Sequence, residues 1–178
     1  LLAEFFTVTI GILIALFINN WKEDYDNQKY LDRVLASIEH DIGKSQAAIE
    51  EILPRHVALV DSVTHYLDDE SMSIREITQQ VGGVQYPIIK NIGLRFFISS
   101  KAELVDYETI SSLTEMEDSK RLLEKKFDKL MDFVYEVTEN TDRKSKIMYI
   151  IHLSNVIDSE TTLIEGYESY LSKQEQEE

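Results

Sequence analysis

The chain has 178 residues, is 43% hydrophobic and 29% charged, and carries a formal net charge of −15 at pH 7. This composition is typical of a folded domain, and its acidity argues against a nucleic acid partner, whose phosphates attract Lys and Arg. The chain contains no cysteine, so disulfides, thiolate catalysis and zinc–thiolate sites are excluded. It begins at Leu1 rather than at methionine, and we expect a processed form or a part of a longer chain.

The first 21 residues, LLAEFFTVTIGILIALFINNW, predict a transmembrane helix. Positions 1–18 are almost entirely apolar, with Glu4 as their one ionisable residue, and about 20 apolar residues cross a bilayer as a helix. Asn19, Asn20 and Trp21 then suit the membrane interface. A signal peptide fits less well, because neither a basic leading stretch nor a small-residue cleavage site is present in this segment.

One face of this helix is suited to contact with another helix. At about 100° per residue, Glu4, Thr7, Gly11 and Ala15 share one stripe. Small residues four apart allow helix backbones to approach closely in a bilayer, so the sequence predicts self-association through this face. The alternatives are that Gly11 and Ala15 recur by chance and that Glu4 lies at the far headgroup level. A proton-handling or ion-handling Glu4 is a further alternative.

A long helix is expected over residues 22–67. Its apolar residues recur at spacings of four and three, which predicts the 3.5-residue seam of a coiled coil or a bundle helix. The same spacing is compatible with two alternatives, oligomerisation through the seam or burial of the seam within the chain's own bundle. Pro54 is expected to kink or restart the helix. The seam consists of Leu31, Leu35, Ile38, Ile42, Ile49 and Ile52.

A connector is expected over residues 68–100. Ser73 and Glu76 have the spacing of a capping box and predict a short helix that ends at Gly82 and Gly83. Residues 84–98 lack clean periodicity. We interpret them as an apolar connector packed over the bundle, and the alternative is an exposed patch for a partner or for lipid.

The C-terminal helices are expected over residues 101–173. Ser100 with Glu103, and Thr114 with Glu117, repeat the capping-box spacing, and the second pair predicts the start of a helix. The apolar face of that helix is Leu123, Phe127, Leu130, Val134 and Val137.

A break at 140–142 precedes two further predicted helices. The first is apolar nearly all round, which is typical of a central bundle helix. Its marker residues are Ile147, Ile150, Ile151, Ser154 and Ile157. The last helix is marked by Leu163, Ile164, Tyr167, Tyr170 and Leu171.

The sequence offers no motif that names a reaction. No two of the four histidines stand at the i, i+4 spacing of a helical metal site, and none has a Glu three residues before it. His152 is expected to be a hydrogen-bonded core histidine. Phosphate-binding and nucleophile motifs are also absent. We therefore expect a non-enzymatic protein with no catalytic, cofactor or metal site.

Residues 11–23, GILIALFINNWKE, resemble the N-terminal signature of an uncharacterised Bacteroidota family of single-pass membrane-anchored helical proteins, E-hydrophobic-GILIALQINNWNE. The chain departs from it at Phe17, where the family commonly has glutamine. Beyond this segment the likeness is general: a long acidic helix and a helical C-terminal domain. The matching residues are Glu4, Gly11, Ala15, Asn19, Asn20, Trp21 and Glu23.

The resemblance also implies a topology. Members of the family carry a basic stretch before the membrane helix, which by the positive-inside rule places the acidic domain in the periplasm. Lys22, Lys29 and Arg33 pull mildly toward the opposite orientation. From the resemblance we expect a single-pass protein of the bacterial inner membrane whose bulk is periplasmic.

Together these patterns predict an all-α protein, in which a transmembrane helix (1–21) continues into the long helix of an acidic antiparallel bundle (22–178). The expected function is a non-enzymatic membrane-anchored interaction or scaffold protein that self-associates through both helical segments. An extracytoplasmic sensory or ligand-binding domain is the alternative. The expected partners are the lipid bilayer, further copies of the chain and another membrane or periplasmic protein.

Overall fold

The computed structural model describes residues 2–90 and 104–177, with side chains over 5–90 and 104–174. Within these ranges the chain is all-α, as predicted, and no strand is present. Four helices account for nearly all of it: α1 (Leu2–His65), α2 (Ile74–Gln80), α3 (Tyr107–Val137) and α4 (Arg143–Glu177).

Helix α1 is continuous over 64 residues, which at 1.5 Å per residue corresponds to roughly 96 Å. The predicted transmembrane and long helices are therefore one element. The helix does not restart at Pro54, which lies inside it on an exposed surface. Proline removes the hydrogen bond to the carbonyl four residues earlier, and on the solvent side water can take its place.

The long helices alternate in direction around α4. An ion pair of 2.8 Å joins the Arg143 guanidinium at the start of α4 to the Asp68 carboxylate just beyond α1. At the opposite end of the bundle, the Lys173 ammonium of α4 lies 2.7 Å from the Glu108 carboxylate at the start of α3. Helices α1 and α3 therefore run in one direction, and α4 returns between them and packs on both.

An extended segment, the strap (residues 81–90), runs back along the bundle from α2. Arg55 of α1 donates to the Gln85 side chain at 3.1 Å. The Ser45 hydroxyl of α1 bonds the backbone N–H and carbonyl of Lys90, at 2.9 and 3.1 Å. The strap covers about 15 Å in the five residues from Gln85 to Lys90, the same distance that α1 covers in the ten residues from Arg55 to Ser45. Only an extended backbone spans this distance in five residues. The connector is packed over the bundle as far as Lys90, and its predicted remainder (91–100) lies outside the described residues.

The strap begins where α2 ends, and the predicted capping box is present at the other end of α2, at its start. The Ser73 hydroxyl accepts from the Glu76 N–H, and the Glu76 carboxylate accepts from the Ser73 N–H at 2.9 Å. These bonds satisfy donors that a helix start leaves unpaired. Gly82 and Gly83 follow α2 with φ of +92° and +85°, a conformation that favours glycine.

The predicted start of α3 is wrong by eight residues, since the N-cap is Asp106 and not Thr114. The helix begins at Tyr107, and the Asp106 carboxylate accepts from the Thr109 N–H at 2.9 Å. Thr114 lies inside the helix and donates its hydroxyl to the Ile110 carbonyl at 2.8 Å. A threonine can satisfy its hydroxyl in this way without ending a helix, so its spacing to a glutamate was not decisive. The other predicted pair, Ser100 with Glu103, lies outside the described residues.

Helix α4 is one helix where two were predicted, because nothing between 151 and 163 breaks it. Its buried face also differs from the predicted stripe. Ile151 is exposed, and Ile147, Ile150, Ser154 and Ile157 are only half-buried. Apart from Ser159, the buried residues recur at spacings of three and four: Lys146, Tyr149, Leu153, Val156, Glu160, Leu163, Tyr167 and Tyr170.

Candidate functional site

The N-terminal part of α1 is exposed on every side. An 18-residue window here has a mean hydropathy of 1.5, and none of it is buried inside the protein. Phe17 is 72% exposed and Trp21 is 69% exposed. Within the described residues this is the one helix long and apolar enough to cross a membrane by length and composition.

The predicted helix-packing face lies on this exposed part. Thr7, Gly11 and Ala15 are all exposed. A Cβ atom built on Gly11 would meet nothing within 4 Å, so another helix could approach its backbone closely. Glu4 belongs to α1, but its side chain lies outside the described ones. The predicted membrane-interface residues Asn19, Asn20 and Trp21 are likewise exposed on the helix.

The packing face points away from the bundle. Gly11 precedes Ile38 by 27 residues, and Ala15 precedes Ile42 by the same number, which is about 7.5 turns of a helix with 3.6 residues per turn. Ile38 and Ile42 are buried in the core. Because half a turn separates each small residue from a core residue, the small residues lie on the side of α1 opposite α3 and α4.

The predicted seam is divided between burial and partial burial. Ile38, Ile42 and Ile49 are at most 5% exposed, and they belong to one core cluster with residues of α3 and α4. Leu31, Leu35 and Ile52 are half-buried. The spacing of the seam was compatible with oligomerisation or with burial in the chain's own bundle. The three central isoleucines are buried in the chain's own bundle. Their side chains cannot contact a second copy while the bundle is folded.

A buried acid–base pair links α1 to α4. The His56 Nδ1 atom lies 3.0 Å from the Glu160 Oε2 atom, and the two side chains are 1% and 0% exposed. His56 Nε2 and Glu160 Oε1 have no hydrogen-bond partner among the described residues. Sequence analysis did not single out this pair.

A signal for the pair was nevertheless present in the sequence. His56 falls seven residues after Ile49 and seven before Val63, and Glu160 falls seven residues after Leu153. Both therefore occupy core positions of a 3.5-residue repeat. The predicted face was right for Leu163, Tyr167 and Tyr170 in the second half of α4 but wrong in the first half, so Glu160 looked like one of many surface carboxylates.

Aromatic rings complete the layer around the pair. The Phe127 ring of α3 lies 6.5 Å from the His56 ring and 4.8 Å from the Tyr86 ring of the strap, measured between ring centroids. Burial raises the pKa of Tyr86 to about 12, and the negative charges of Glu124, Asp128 and Glu160 add to the effect. Tyr86 therefore remains a neutral phenol over the physiological pH range.

A buried lysine, Lys146 of α4, binds the turn that follows the C-terminal end of α1. Lys146 is fully buried, and its ammonium donates to the carbonyl oxygens of Tyr66 and Asp69 at 2.9 and 2.6 Å. These carbonyls belong to the turn after α1, where they also accept the backbone N–H groups of Asp69 and Met72, respectively. Lys146 thus fixes the turn that follows α1 onto the start of α4.

The spaces between the helices are small or open. A cavity of about 20 Å³ lies beside Lys90, Lys120 and Tyr167, which is room for about one water molecule. An open groove of about 200 Å³ runs between α3 and α4 and is lined by small and polar residues such as Ser119 and Gly166. His152, predicted as a hydrogen-bonded core residue, is half-buried against the Phe133 ring, with centroids 4.9 Å apart.

The described residues contain no group of three or more His, Cys, Asp or Glu that could hold a metal ion. No protein-family model, curated protein or solved structure matches this chain. The fold alone therefore defines its class: an all-α protein with a long N-terminal helix that is able to span a membrane and that continues into a helical bundle.

Proposed function

We propose that this chain is a non-enzymatic, membrane-anchored interaction protein that self-associates through the Thr7, Gly11 and Ala15 face of α1, with Glu4 at its head. The exposure of every large apolar side chain between Phe5 and Trp21 carries this proposal. Such a surface is stable in lipid and costly in water. Resemblance at residues 11–23 to the Bacteroidota family supports a location in the bacterial inner membrane, with the bundle in the periplasm.

The geometry of α1 supports pairing of two parallel copies. The small residues lie opposite the bundle-facing side, so two transmembrane segments can meet there while each copy keeps α3 and α4 on the outside. Small residues at a helix interface allow the close backbone approach that drives association in a bilayer. Association through the membrane segment therefore requires no opening of the bundle.

Cysteine cross-linking tests the pairing directly, because the chain has no cysteine of its own. We expect Gly11→Cys and Ala15→Cys to form disulfide-linked dimers in membranes under mild oxidation. Leu13→Cys is the matched control, since Leu13 lies about 200° around the helix from Gly11. Equal cross-linking at positions 11 and 13, or none at 11 and 15, would contradict the proposed face.

A bulky substitution provides the complementary test. Gly11→Leu should convert the dimer to a monomer in detergent, measured as the mass of the protein in sedimentation equilibrium. Leu13→Phe adds bulk on the opposite face and should leave the mass unchanged. A wild-type chain that is already monomeric, with no co-purifying partner, would defeat the interaction proposal.

Labelling in intact cells tests the orientation. His40 is exposed on the packed part of α1, between the buried residues Ile38 and Ile42, so a His40→Cys variant presents a thiol to solvent. A periplasmic bundle predicts reaction with a membrane-impermeant maleimide in intact cells. Labelling only after the inner membrane is permeabilised would place the bundle in the cytoplasm.

A sensory or ligand-binding domain is the second candidate, favoured by the open groove between α3 and α4. Gly166 lines that groove, and a Cβ atom there would lie in ordinary contact with the Met116 side chain, at 3.6 Å, so a longer side chain would extend into the groove. If small polar molecules bind in the groove, they should raise the melting temperature of the wild type and not that of Gly166→Leu. Equal shifts in both proteins would argue against the groove as a site.

A further inference from the structure

The three long helices form three grooves between them, and the strap covers one of these grooves. The Gln85 side chain of the strap accepts from Arg55 of α1 at 3.1 Å. The neighbouring Tyr86 ring lies 4.8 Å from the Phe127 ring of α3, measured between centroids. The strap therefore fills the groove between α1 and α3. The groove between α3 and α4 is lined by small and polar residues, and the groove between α1 and α4 differs from both.

Val57 lies on the α1 side of this third groove. The residue before it, His56, faces Glu160 of α4 at 3.0 Å, and Arg55 turns toward the strap. Because successive residues are about 100° apart on a helix, Val57 lies about 200° around α1 from Arg55. Val57 is therefore on the flank of α1 away from the strap, where it is 44% exposed.

Isoleucines form the α4 side of the groove. His152 of α4 lies against the Phe133 ring of α3, and Ile150 and Ile157 lie about 160° and 140° around α4 from His152. These two isoleucines are therefore on the flank that faces α1. Ile151, beside them, is 46% exposed. The aliphatic residues that line this α1–α4 groove are exposed or half-buried: Val57, Val60, Ile147, Ile150, Ile151 and Ile157.

The rim of the α1–α4 groove is acidic. On α1, two carboxylates lie seven residues before and four residues after Val57, and on α4 two lie seven and fourteen residues after Ile151. These spacings place them on the same helix faces as the two apolar residues. Within residues 46–64 and 147–165 the one Lys or Arg is Arg55, which points to the strap. The rim carboxylates, all exposed, are Glu50, Asp61, Asp158 and Glu165.

Lipid is too distant to cover the groove. Val57 follows Trp21, the predicted interface residue, by 36 residues, and α1 is continuous between them. The groove therefore begins about 54 Å along the helix axis from the membrane segment. The acidic rim would also be repelled by anionic headgroups.

A second copy of the chain does not fit the groove either. Two copies that meet through one surface are related by a two-fold axis, and each presents the same residues to the other. The four rim carboxylates of each copy would then lie together, and like charges across an interface are costly. The charge of the rim therefore calls for a partner of opposite charge.

We propose that the α1–α4 groove binds an amphipathic helix of a partner protein whose apolar stripe is flanked by Lys and Arg. Apolar side chains at i, i+3, i+4 and i+7 of such a helix fit an apolar groove, and its cations meet the rim carboxylates. This inference rests on the proposed function as an interaction protein and names the class of its partner.

A synthetic helical peptide with leucines at those spacings and lysines beside them tests the groove. The full chain is held in nanodiscs of zwitterionic lipid, and the fluorescence anisotropy of the labelled peptide reports binding, with empty nanodiscs as the blank. We expect saturable binding, and binding about tenfold weaker or less when glutamates replace the lysines. No binding of the lysine peptide above the blank, or equal binding of the two peptides, would overturn the proposal.

Paired variants test whether the peptide occupies this groove. Val57→Ser with Ile151→Ser removes two exposed aliphatic side chains and should weaken binding of the lysine peptide about tenfold, with an unchanged circular dichroism spectrum. Leu122→Ser is the matched control, because Leu122 of α3 is 50% exposed, and its affinity should equal that of the wild type. Equal affinities of the double variant and the wild type would overturn the proposal.

The rim has its own test, which leaves the apolar residues intact. Asp61→Asn with Asp158→Asn should weaken binding of the lysine peptide and reduce its dependence on salt, because two ionic contacts are lost. Asp132→Asn with Glu136→Gln removes the same charge from exposed positions of α3 and should have less effect. Equal losses in the two double variants would mean that only the net charge attracts the peptide, which would overturn the proposed site.

The groove and the membrane face can fail separately. Gly11→Leu should abolish self-association and leave the affinity for the lysine peptide unchanged. Val57→Ser with Ile151→Ser should leave the mass of the protein in detergent unchanged, so loss of peptide binding alone refutes nothing about the dimer. A lower mass for this double variant would assign the groove to a second copy and overturn the proposed partner.

Discussion

The two parts of α1 are one helix in two different environments. From Phe5 to Tyr30 no residue is buried, and large apolar side chains point to all sides. From Leu31 to His65 the buried residues recur at spacings of three, four and seven, and the exposed positions other than Val57 and Pro54 are polar or small. Periodic apolar residues therefore mark contact with protein, and an unbroken apolar run marks a helix that the rest of the chain leaves uncovered.

The largest expected change in the free energy of unfolding comes from a matched pair of leucine truncations, one in each part of α1. Leu59 is fully buried, and Leu59→Ala should lower the free energy of unfolding by about 2–5 kcal/mol, since it removes buried methyl groups and leaves a cavity. Leu13→Ala, in the exposed part, should change it by less than about 0.5 kcal/mol. Urea unfolding in detergent measures both. Similar losses would mean that the exposed part is stabilised by contacts within one chain.

The second test concerns the end of the packed part. Lys146→Met should lower the free energy of unfolding by about 2 kcal/mol, because the carbonyls of Tyr66 and Asp69 lose a charged donor. Lys144→Met removes an exposed lysine two residues earlier and should have little effect. If Lys146→Met is as stable as the wild type, water satisfies those carbonyls and the lysine is dispensable.

A smaller effect is expected at α2, which packs on α1. Ser73→Ala removes the cap and should cost about 1 kcal/mol, whereas Ser73→Asp keeps an acceptor and should cost less. The backbone N–H and the hydroxyl of Ser73 both lower the pKa of Glu76. Ser73→Ala loses only the hydroxyl's contribution, which is present at neutral pH and is lost as the pH falls through the folded value. The deficit of Ser73→Ala, measured by thermal unfolding, should accordingly shrink from pH 6 to pH 3; a constant deficit would exclude a role for the bond between the hydroxyl and Glu76.

The smallest effect is expected where the two parts of α1 meet. The Gln28 side chain donates to the Asp32 carboxylate at 2.9 Å on an exposed surface. Such pairs stabilise a helix by about 0.2–0.5 kcal/mol, so Gln28→Ala should barely change the unfolding of the bundle. A loss comparable to that of Leu59→Ala would move the boundary of the packed part toward the membrane segment.

Local signals in the sequence were sufficient to predict many features of this protein. Fold class, the membrane-compatible segment, the Ser73 capping box and the apolar face of α3 all follow from spacing and residue type over a few turns. These features depend on contacts between neighbours in the chain. Where the local signals were ambiguous, as with Thr114 inside α3 and the mid-point of α4, the predicted element boundaries were wrong.

Only the tertiary structure decided which chain covers the seam of α1 and which polar residues lie in the core. The same spacing serves a second copy or the chain's own helices, and the choice depends on where α3, α4 and the strap return. The pairing of His56 with Glu160 joins residues 104 positions apart, which no local pattern specifies. By itself, the sequence determined that α1 is long, apolar at one end and periodic at the other, because helix formation and hydrophobic periodicity are local; which surfaces are buried depends on packing between distant segments.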